Sequence, residues 1–380
     1  MDAEGDAAAK GKRMKVAIRV DASIQIGSGH VARCLTLAAV LRQAGAEVLF
    51  LCRDHPGHMG ALIENQGFSL ALLPATAAPA GEGSDLAHAA WLGSSQMTDA
   101  EQCQAALQGF GRPDWLIVDH YALDARWQRR LRSEVGRILV IDDLADRDHA
   151  CDLLLDQNLG REAGDYEGRV PAGCQVLCGP HYALLRPEFA ALREQSLQRH
   201  RSAPRQVLIT LGGVDQDNVT GQVLSVLQGC NLPQDMQVTV IMGATAPHVE
   251  EVRRQARTMV FQCEVVVAVS DMAERMVQAD LSIGAAGSTT WERACLGLPS
   301  LIVVLAENQT GIAQAISEAG AALYAGKAAE ADFPKQLRRA VLQCLSEPGL
   351  LSRMGVRAAA IVDGVGASRV QLAMQGEIQS

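Results

Sequence analysis

Four short apolar runs in the first half of the chain each end in acidic, amide or imidazole residues. They are Val16–Val20 ahead of Asp21, then DWLIVDHY, RILVIDDLA and CDLLLDQN. A strand buried on both faces reads as a continuous apolar run, and such strands belong to parallel sheets covered by helices. In open α/β sheets the ligand crevice lies beyond the carboxyl ends of the strands, where these polar residues gather. EVLFLCR and Phe68–Leu73 add further strands, with helices expected from His30 through Leu41, over 58–66, after a Thr98–Glu101 capping box, and over 125–133. The second half repeats the alternation. RQVLITLGG, QVTVIMG, VVVAV, ADLSIG and SLIVVLA are separated by helical stretches near 219–227, 249–257, 272–279, 290–296 and 310–319. Amphipathic helices at Phe333–Leu345 and Leu350–Ile361 follow, then DGVGASRV. The expected fold is α/β: two doubly wound, Rossmann-like domains facing each other across a cleft.

The boundaries follow from where the pattern starts and stops. Residues 1–13 lack an apolar signal core and read as a disordered leader. Residues 14–165 form an N-terminal α/β domain, 166–204 a linker region, 205–355 a C-terminal α/β domain, and 356–380 a tail packing back towards the first domain. Pro74–Ser95 is rich in Ala, Gly and Pro and reads as a long loop or insertion. The net charge of −9 argues against nucleic acid or an anionic membrane as partner. No run approaches the roughly 18 apolar residues of a membrane span. The ten cysteines show no CxxC spacing, which indicates reduced thiols and a cytoplasmic protein.

Three places concentrate chemistry-bearing residues. Gly27-Ser-Gly29-His30-Val-Ala32 stands at a strand-to-helix junction, with Asp21 and Arg33 nearby, so that backbone can approach a ligand and His30 can act beside it. The same residues formally fit a dinucleotide fingerprint, with Asp54 as its acid, but Asp21–Ile26 intervene where that fingerprint needs a tight turn. His120 and Tyr121 end a strand; the Tyr121 hydroxyl can hold a substrate hydroxyl or simply a backbone group. In the second half, Gly284 and Gly287 free a turn whose Ser288, Thr289 and Thr290 offer hydroxyls and N–H groups to a phosphate. Glu292 is either a capping-box partner of Thr289 or an acceptor for a ribose diol. Asn308 and Gln309 end the next strand, and Leu211-Gly212-Gly213 ends another. Asp215-Gln-Asp217 matches D-x-D, as does Asp146-Arg-Asp148, and helix capping or solvent exposure explains both; no spacing matches a closed zinc site. No metal and no cofactor is expected.

IRVDASIQIGSGHVARCLTLA, LIVDHYALDARW, VIDDLADRDHACDLLLDQN, GPHYALLRPEF, ITLGGVDQDN and GAAGSTTWERACLGLPSLIVVLAENQ occur in that order. Together they resemble the UDP-2,4-diacetamido-2,4,6-trideoxy-β-L-altropyranose hydrolases of pseudaminic acid biosynthesis. The resemblance covers Lys15 to Val370, apart from Pro74–Gln96. The second half is also similar to the lipid II-forming N-acetylglucosaminyltransferases, which share the GT-B architecture. The resemblance implies that His30 is the catalytic base and that Tyr121 lines the sugar site. It implies that Gly287, Ser288 and Thr289 bind the diphosphate, and that Glu292 takes the ribose hydroxyls. It further implies that the backbone around Val269–Met272 meets the uracil and that Asn308 and Gln309 reach the phosphate or sugar side. Asp21, Gly29, Arg33 and Gly213 complete the expected substrate-binding set.

The activity implied is inverting, metal-independent hydrolysis of a UDP-sugar, by a monomer that inserts into no membrane. Three alternatives stand beside it: a UDP-sugar glycosyltransferase of GT-B fold, an NAD-dependent enzyme using Gly27–Ala32, and a non-catalytic nucleotide-sugar binding protein.

Overall fold

The computed structural model describes residues 13–75, 85–201 and 203–376. The expected leader, up to residue 12, and residues 76–84 of the Pro74–Ser95 stretch lie outside the described residues. The first sheet contains β1 (Lys15–Val20), β2 (Glu47–Arg53), β3 (Ser69–Leu73), β4 (Trp115–Asp119), β5 (Arg137–Ile141), β6 (Leu153–Asp156) and β7 (Gln175–Cys178). Their order across the sheet is β3-β2-β1-β4-β5-β6-β7, and the pairs from β3 to β6 are parallel. Val16 pairs with Val48 on one side and Trp115 on the other, so β1 is central, and only Lys15 at its start is not fully buried. That double burial explains why the strands read as unbroken apolar runs.

The crossovers of this half are α1 (Gly29–Gln43), α2 (Gly60–Asn65), α3 (Gln96–Phe110) and α4 (Ala125–Leu131). The expected capping box at Thr98–Glu101 is displaced. Helix α3 starts earlier, with Ser95 as its cap accepting from the Thr98 N–H at 3.0 Å. Asp99 is consequently in the first turn of the helix, and it is fully buried.

The second sheet repeats the plan with β8 (Gln206–Thr210), β9 (Gln237–Met242), β10 (Gln262–Val267), β11 (Leu281–Ala285), β12 (Ser300–Val304) and β13 (Leu323–Lys327). Its order is β10-β9-β8-β11-β12-β13, all parallel. Successive strand residues enter different cores. Val207 and Ile209 join one buried cluster, and Leu208 joins the other, as the period-two alternation of a strand requires. The helices are α5 (Pro187–Leu197), α6 (Val219–Gln228), α7 (Val249–Ala256), α8 (Met272–Gln278), α9 (Thr289–Cys295), α10 (Thr310–Glu318), α11 (Phe333–Ser346), α12 (Leu350–Ile361) and α13 (Gly366–Gln375).

Contacts divide the chain into two compact units. One holds the residues up to Ile26 with Leu37–Leu155 and Tyr166–Val176; the other holds Gly27–Thr36, Asp156–Asp165 and everything from Leu177. The span 166–204, expected as a linker, is structured: it contains β7, and α5 buries Phe189 completely. In the expected tail, α13 packs on the turn Pro180–Tyr182, where Arg369 donates to the His181 carbonyl at 2.8 Å. No helix among the described residues is long and apolar enough to cross a membrane.

Candidate functional site

In both sheets the first strand of the alternation has crossovers leaving on opposite sides, so each sheet has one topological switch point. That is where an open parallel sheet forms its ligand crevice. The second sheet switches between β8 and β11. Beyond β8 comes Leu211-Gly212-Gly213, with Gly212 in the left-handed region at φ +91°. Beyond β11 comes Ala286–Ser288, leading into α9. Among the described residues no acceptor takes the N–H groups of Gly287, Ser288 or Thr289. Ser288 is exposed and makes no capping bond. Three successive amides at one turn are thus left open to an acceptor.

The side chains around this turn are tied down. Glu292, 15% exposed in its side chain, faces Arg186 at 3.6 Å rather than closing a capping box with Thr289. Burial pushes its carboxyl above the ordinary glutamate range, against the pull of Arg186 and Arg293. Arg293 is 1% exposed and donates to Ala285 O (2.8 Å), Thr289 Oγ1 (3.0 Å) and Thr290 Oγ1 (3.1 Å). Gln309 accepts from the Leu305 N–H at 3.0 Å, and its Nε2 lies 4.0 Å from where a Cβ on Gly287 would stand. Asn308 is exposed. Val269 and Met272, between β10 and α8, are half-buried against the second core cluster. Asp215 spends both carboxylate oxygens on the start of α6, accepting from the Val219 and Thr220 N–H groups at 2.8 and 3.0 Å. The D-x-D match is therefore a helix cap at Asp215.

The first sheet switches between β1 and β4. Asp21 follows β1, and His120 and Tyr121 follow β4. Asp21 is 1% exposed. Its Oδ1 accepts from Arg19 Nη1 (2.5 Å) and from the Arg53 N–H (2.7 Å); His120 Nε2 lies 3.2 Å and His55 Nε2 3.7 Å from Oδ2. His120 Nδ1 accepts from the Ala122 N–H, so the neutral ring carries its hydrogen on Nε2, towards Asp21. Burial lowers the His120 pKa, despite Asp21, and Arg19 holds Asp21 well below the usual carboxylate range against its own burial. Behind Asp21, Asp99 receives a fork from Arg19 (3.1 and 2.6 Å), a bond from Arg53 (2.6 Å) and one from the Trp127 indole (2.9 Å). Tyr121 donates to Asp143 at 2.6 Å, and Trp91 stacks on its ring with centroids 5.7 Å apart.

His30 and Arg33 belong to the first turns of α1, which group with the second unit. His30 is half-buried, and Arg33 Nη2 lies 3.3 Å from its Nδ1. A guanidinium can only donate, so this contact favours hydrogen on Nε2 in the neutral ring. Within that unit a Cβ on Gly29 would stand 3.7 Å from Ser288 Oγ, and one on Gly213 would stand 3.8 Å from Ser28 Oγ. Ser28 and Gly29, at the start of α1, and both switch-point loops of the second sheet are thus neighbours.

Residues 206–363 match the Glycosyltransferase family 28 C-terminal domain. The chain is 27% identical over 308 residues to the UDP-2,4-diacetamido-2,4,6-trideoxy-beta-L-altropyranose hydrolase of Campylobacter jejuni, covering 81% of this chain and 97% of that protein. It is 29% identical over 215 residues to the spore coat polysaccharide biosynthesis protein SpsG of Bacillus subtilis, 56% of this chain and 62% of that one. Among solved structures, MurG of Acinetobacter baumannii superposes with a TM-score of 0.67 at 17% identity, over 96% of this chain and 99% of that one. The fold is GT-B. The matched family domain contains β8 through α12, and therefore the whole β8/β11 switch point.

Sequence reasoning missed three groups at these places. Arg293 passed unremarked beside Glu292, although its four-residue spacing from Thr289 puts both on one helix face. Asp99 lay unremarked inside the expected Thr98–Glu101 capping box; the lone charge of Arg19 in an apolar strand was the signal that a buried acid had to exist. Trp91 lies in the stretch taken for a loop, and nothing in its composition pointed to Tyr121.

Proposed function

We propose that this chain hydrolyses UDP-2,4-diacetamido-2,4,6-trideoxy-β-L-altropyranose at its anomeric carbon, releasing UDP and the free sugar with inversion, in pseudaminic acid biosynthesis in the cytoplasm. The observation that carries the reading is the β8/β11 switch point, where three unbonded amides, Glu292 and the His30 end of α1 come together. The C. jejuni relative, matched over nearly its whole length, supports the substrate class. The family 28 domain match supports a nucleotide-sugar enzyme.

In this reading the diphosphate sits on the Gly287–Thr289 amides, Glu292 accepts from the ribose diol, and Val269–Met272 borders the uracil. Gly213 and Gly29 provide clearance, and Asn308 and Gln309 flank the phosphate or sugar side. Tyr121 lines the sugar, while Asp21, enclosed by Arg19 and His120, sets the loop between β1 and α1. Water attacks the anomeric carbon as the bond to the diphosphate oxygen breaks, and its proton passes to His30. Action through Nε2 requires the ring proton to be carried on Nδ1, turned from Arg33. UDP leaves as a stabilised anion, so no strong general acid is needed, unlike the alkoxide departure that glycosidases assist with paired carboxylates. The amides meet the developing charge.

A transferase is the second reading, favoured by the match of 206–363 to a glycosyltransferase domain. The two part on the acceptor. Incubation with the UDP-sugar alone is expected to release UDP, with ¹⁸O from labelled water in the sugar. His30→Asn and His30→Leu are expected to lower turnover at least a hundredfold, as loss of a general base does. UDP release only on adding an acceptor would establish the transferase, and near-normal turnover by both variants would remove His30 as base.

A further inference from the structure

Among the described residues three arginines are fully buried, and two of them have a carboxylate in contact: Arg19 and Arg53 share Asp99. Arg293 does not. Among the described residues no carboxylate oxygen stands within 4.0 Å of it. Its hydrogen bonds go to one carbonyl and two hydroxyls of the β11–α9 turn, and its Nε is buried without an acceptor. The neighbouring acid, Glu292, is turned to Arg186. Burial pulls the Arg293 guanidinium down to about 10, which still leaves it protonated at neutral pH. The fit is close: a Cβ on Gly284 would lie 2.5 Å from Arg293 Nη1 and would displace the guanidinium.

A buried guanidinium with no carboxylate in contact, and only the field of Glu292 beside it, is a costly arrangement that a bound anion completes. We propose that this anion is the diphosphate of the nucleotide, and that Arg293 is a positioning residue acting through Thr289. The inference deepens the nucleotide-sugar reading above and depends on it. Thr289 Oγ1 accepts from Arg293, so its own hydrogen is available to donate to an oxygen held at the Gly287–Thr289 amides. The positive charge reaches the ligand through that hydroxyl and through the field of a guanidinium that solvent does not screen. A neutral nucleoside gains nothing from it.

The test is calorimetric titration of the full chain with UDP, UMP and uridine. Arg293→Met is expected to weaken UDP tenfold to a hundredfold while leaving uridine within about twofold. Arg293→Lys, which keeps the charge, is expected to recover most of the loss. Thr289→Val, which cuts the link but leaves the guanidinium its charge and its bonds to Ala285 O and Thr290 Oγ1, is expected to weaken UDP selectively as well, and decides the matter if Arg293→Met does not fold. Equal losses for UDP and uridine would mean a structural brace, and unchanged UDP affinity in either variant would also overturn the inference. A wild-type chain that binds neither UDP nor UMP would instead sink the nucleotide reading, and this inference with it.

Discussion

Asp99 sits between Arg19 and Arg53 with the Trp127 indole on its other oxygen, so every change to it leaves buried charge behind. Asp99→Asn should destabilise the chain by about 3–5 kcal/mol, the usual cost of breaking a buried pair from one side. Urea unfolding measures it; a loss below about 1 kcal/mol would show that the arginines find other partners. The same cluster sets the response to acid. Asp21 and Asp99 are held below the ordinary carboxylate pKa, so the unfolded chain takes protons first as pH falls. Their contribution is complete above about pH 3.9 and fades as pH drops from there through the folded values. His120, kept neutral by burial, follows the same sign from a higher starting point: stability falls once pH drops below about 6.5. His120→Gln should flatten urea midpoints between pH 7 and 5 and leave the drop below pH 4; an unaltered upper slope would exclude His120 as its source. Arg19 made part of this legible, since a single charge in VAIRV demanded a partner. Which acid answered it was not legible, because Asp99 is 80 residues away and its neighbours spelled a helix cap.

Two glycines at the ends of the second sheet separate folding from binding. A Cβ on Gly243 would lie 1.9 Å from the Gly213 carbonyl oxygen, which no backbone tolerates. Gly243→Ala should therefore move the strand ends, lowering the melting temperature and weakening UDP together. A Cβ on Gly287 would meet nothing nearer than Gln309 Nε2 at 4.0 Å, and its φ is not positive. Gly287→Ala should melt within about 2 °C of the parent yet bind UDP at least tenfold more weakly, because the methyl group intrudes where an anion must reach the amides. Melting curves with and without UDP distinguish the two, and a Gly287→Ala chain with full affinity would move the phosphate elsewhere. The elements themselves were legible where apolar residues recur: α12 spans Leu350–Ile361 as expected, and α10 and α11 differ from expectation by one residue. Helix α5 was not, since of its eleven residues only Phe189 and Ser196 are buried, and no apolar period marks it. Strand β7 is only four residues long with one fully buried, too little to show as a run.

At the scale of the molecule, both sheets run 3-2-1-4-5-6 in local order, the first with β7 added at its edge, so one architecture is used twice and each copy contributes a switch point. Apolar runs with polar ends implied parallel strands, but strand order depends on pairings between distant segments. The placement of Gly213 beside Ser28, or of Asp21 beside His120, therefore had to come from the structure. The duplicated plan also bears on how the reaction copes with charge. The chain carries a net −9, so its overall field does not attract a UDP-sugar, and any compensation must be local. Local means are present in the second unit: three unbonded amides, the buried Arg293, and Arg186 beside Glu292. The D-x-D commits both Asp215 oxygens to α6 and does not offer them to a divalent cation. UDP release should therefore proceed at an unchanged rate in millimolar EDTA. Activity lost in EDTA and restored by Mg²⁺ would mean that the amides and arginine do not suffice, and would bring Asp217 back as a ligand. In that event Asp217→Asn should reproduce the EDTA effect, whereas under the present reading it leaves turnover unchanged.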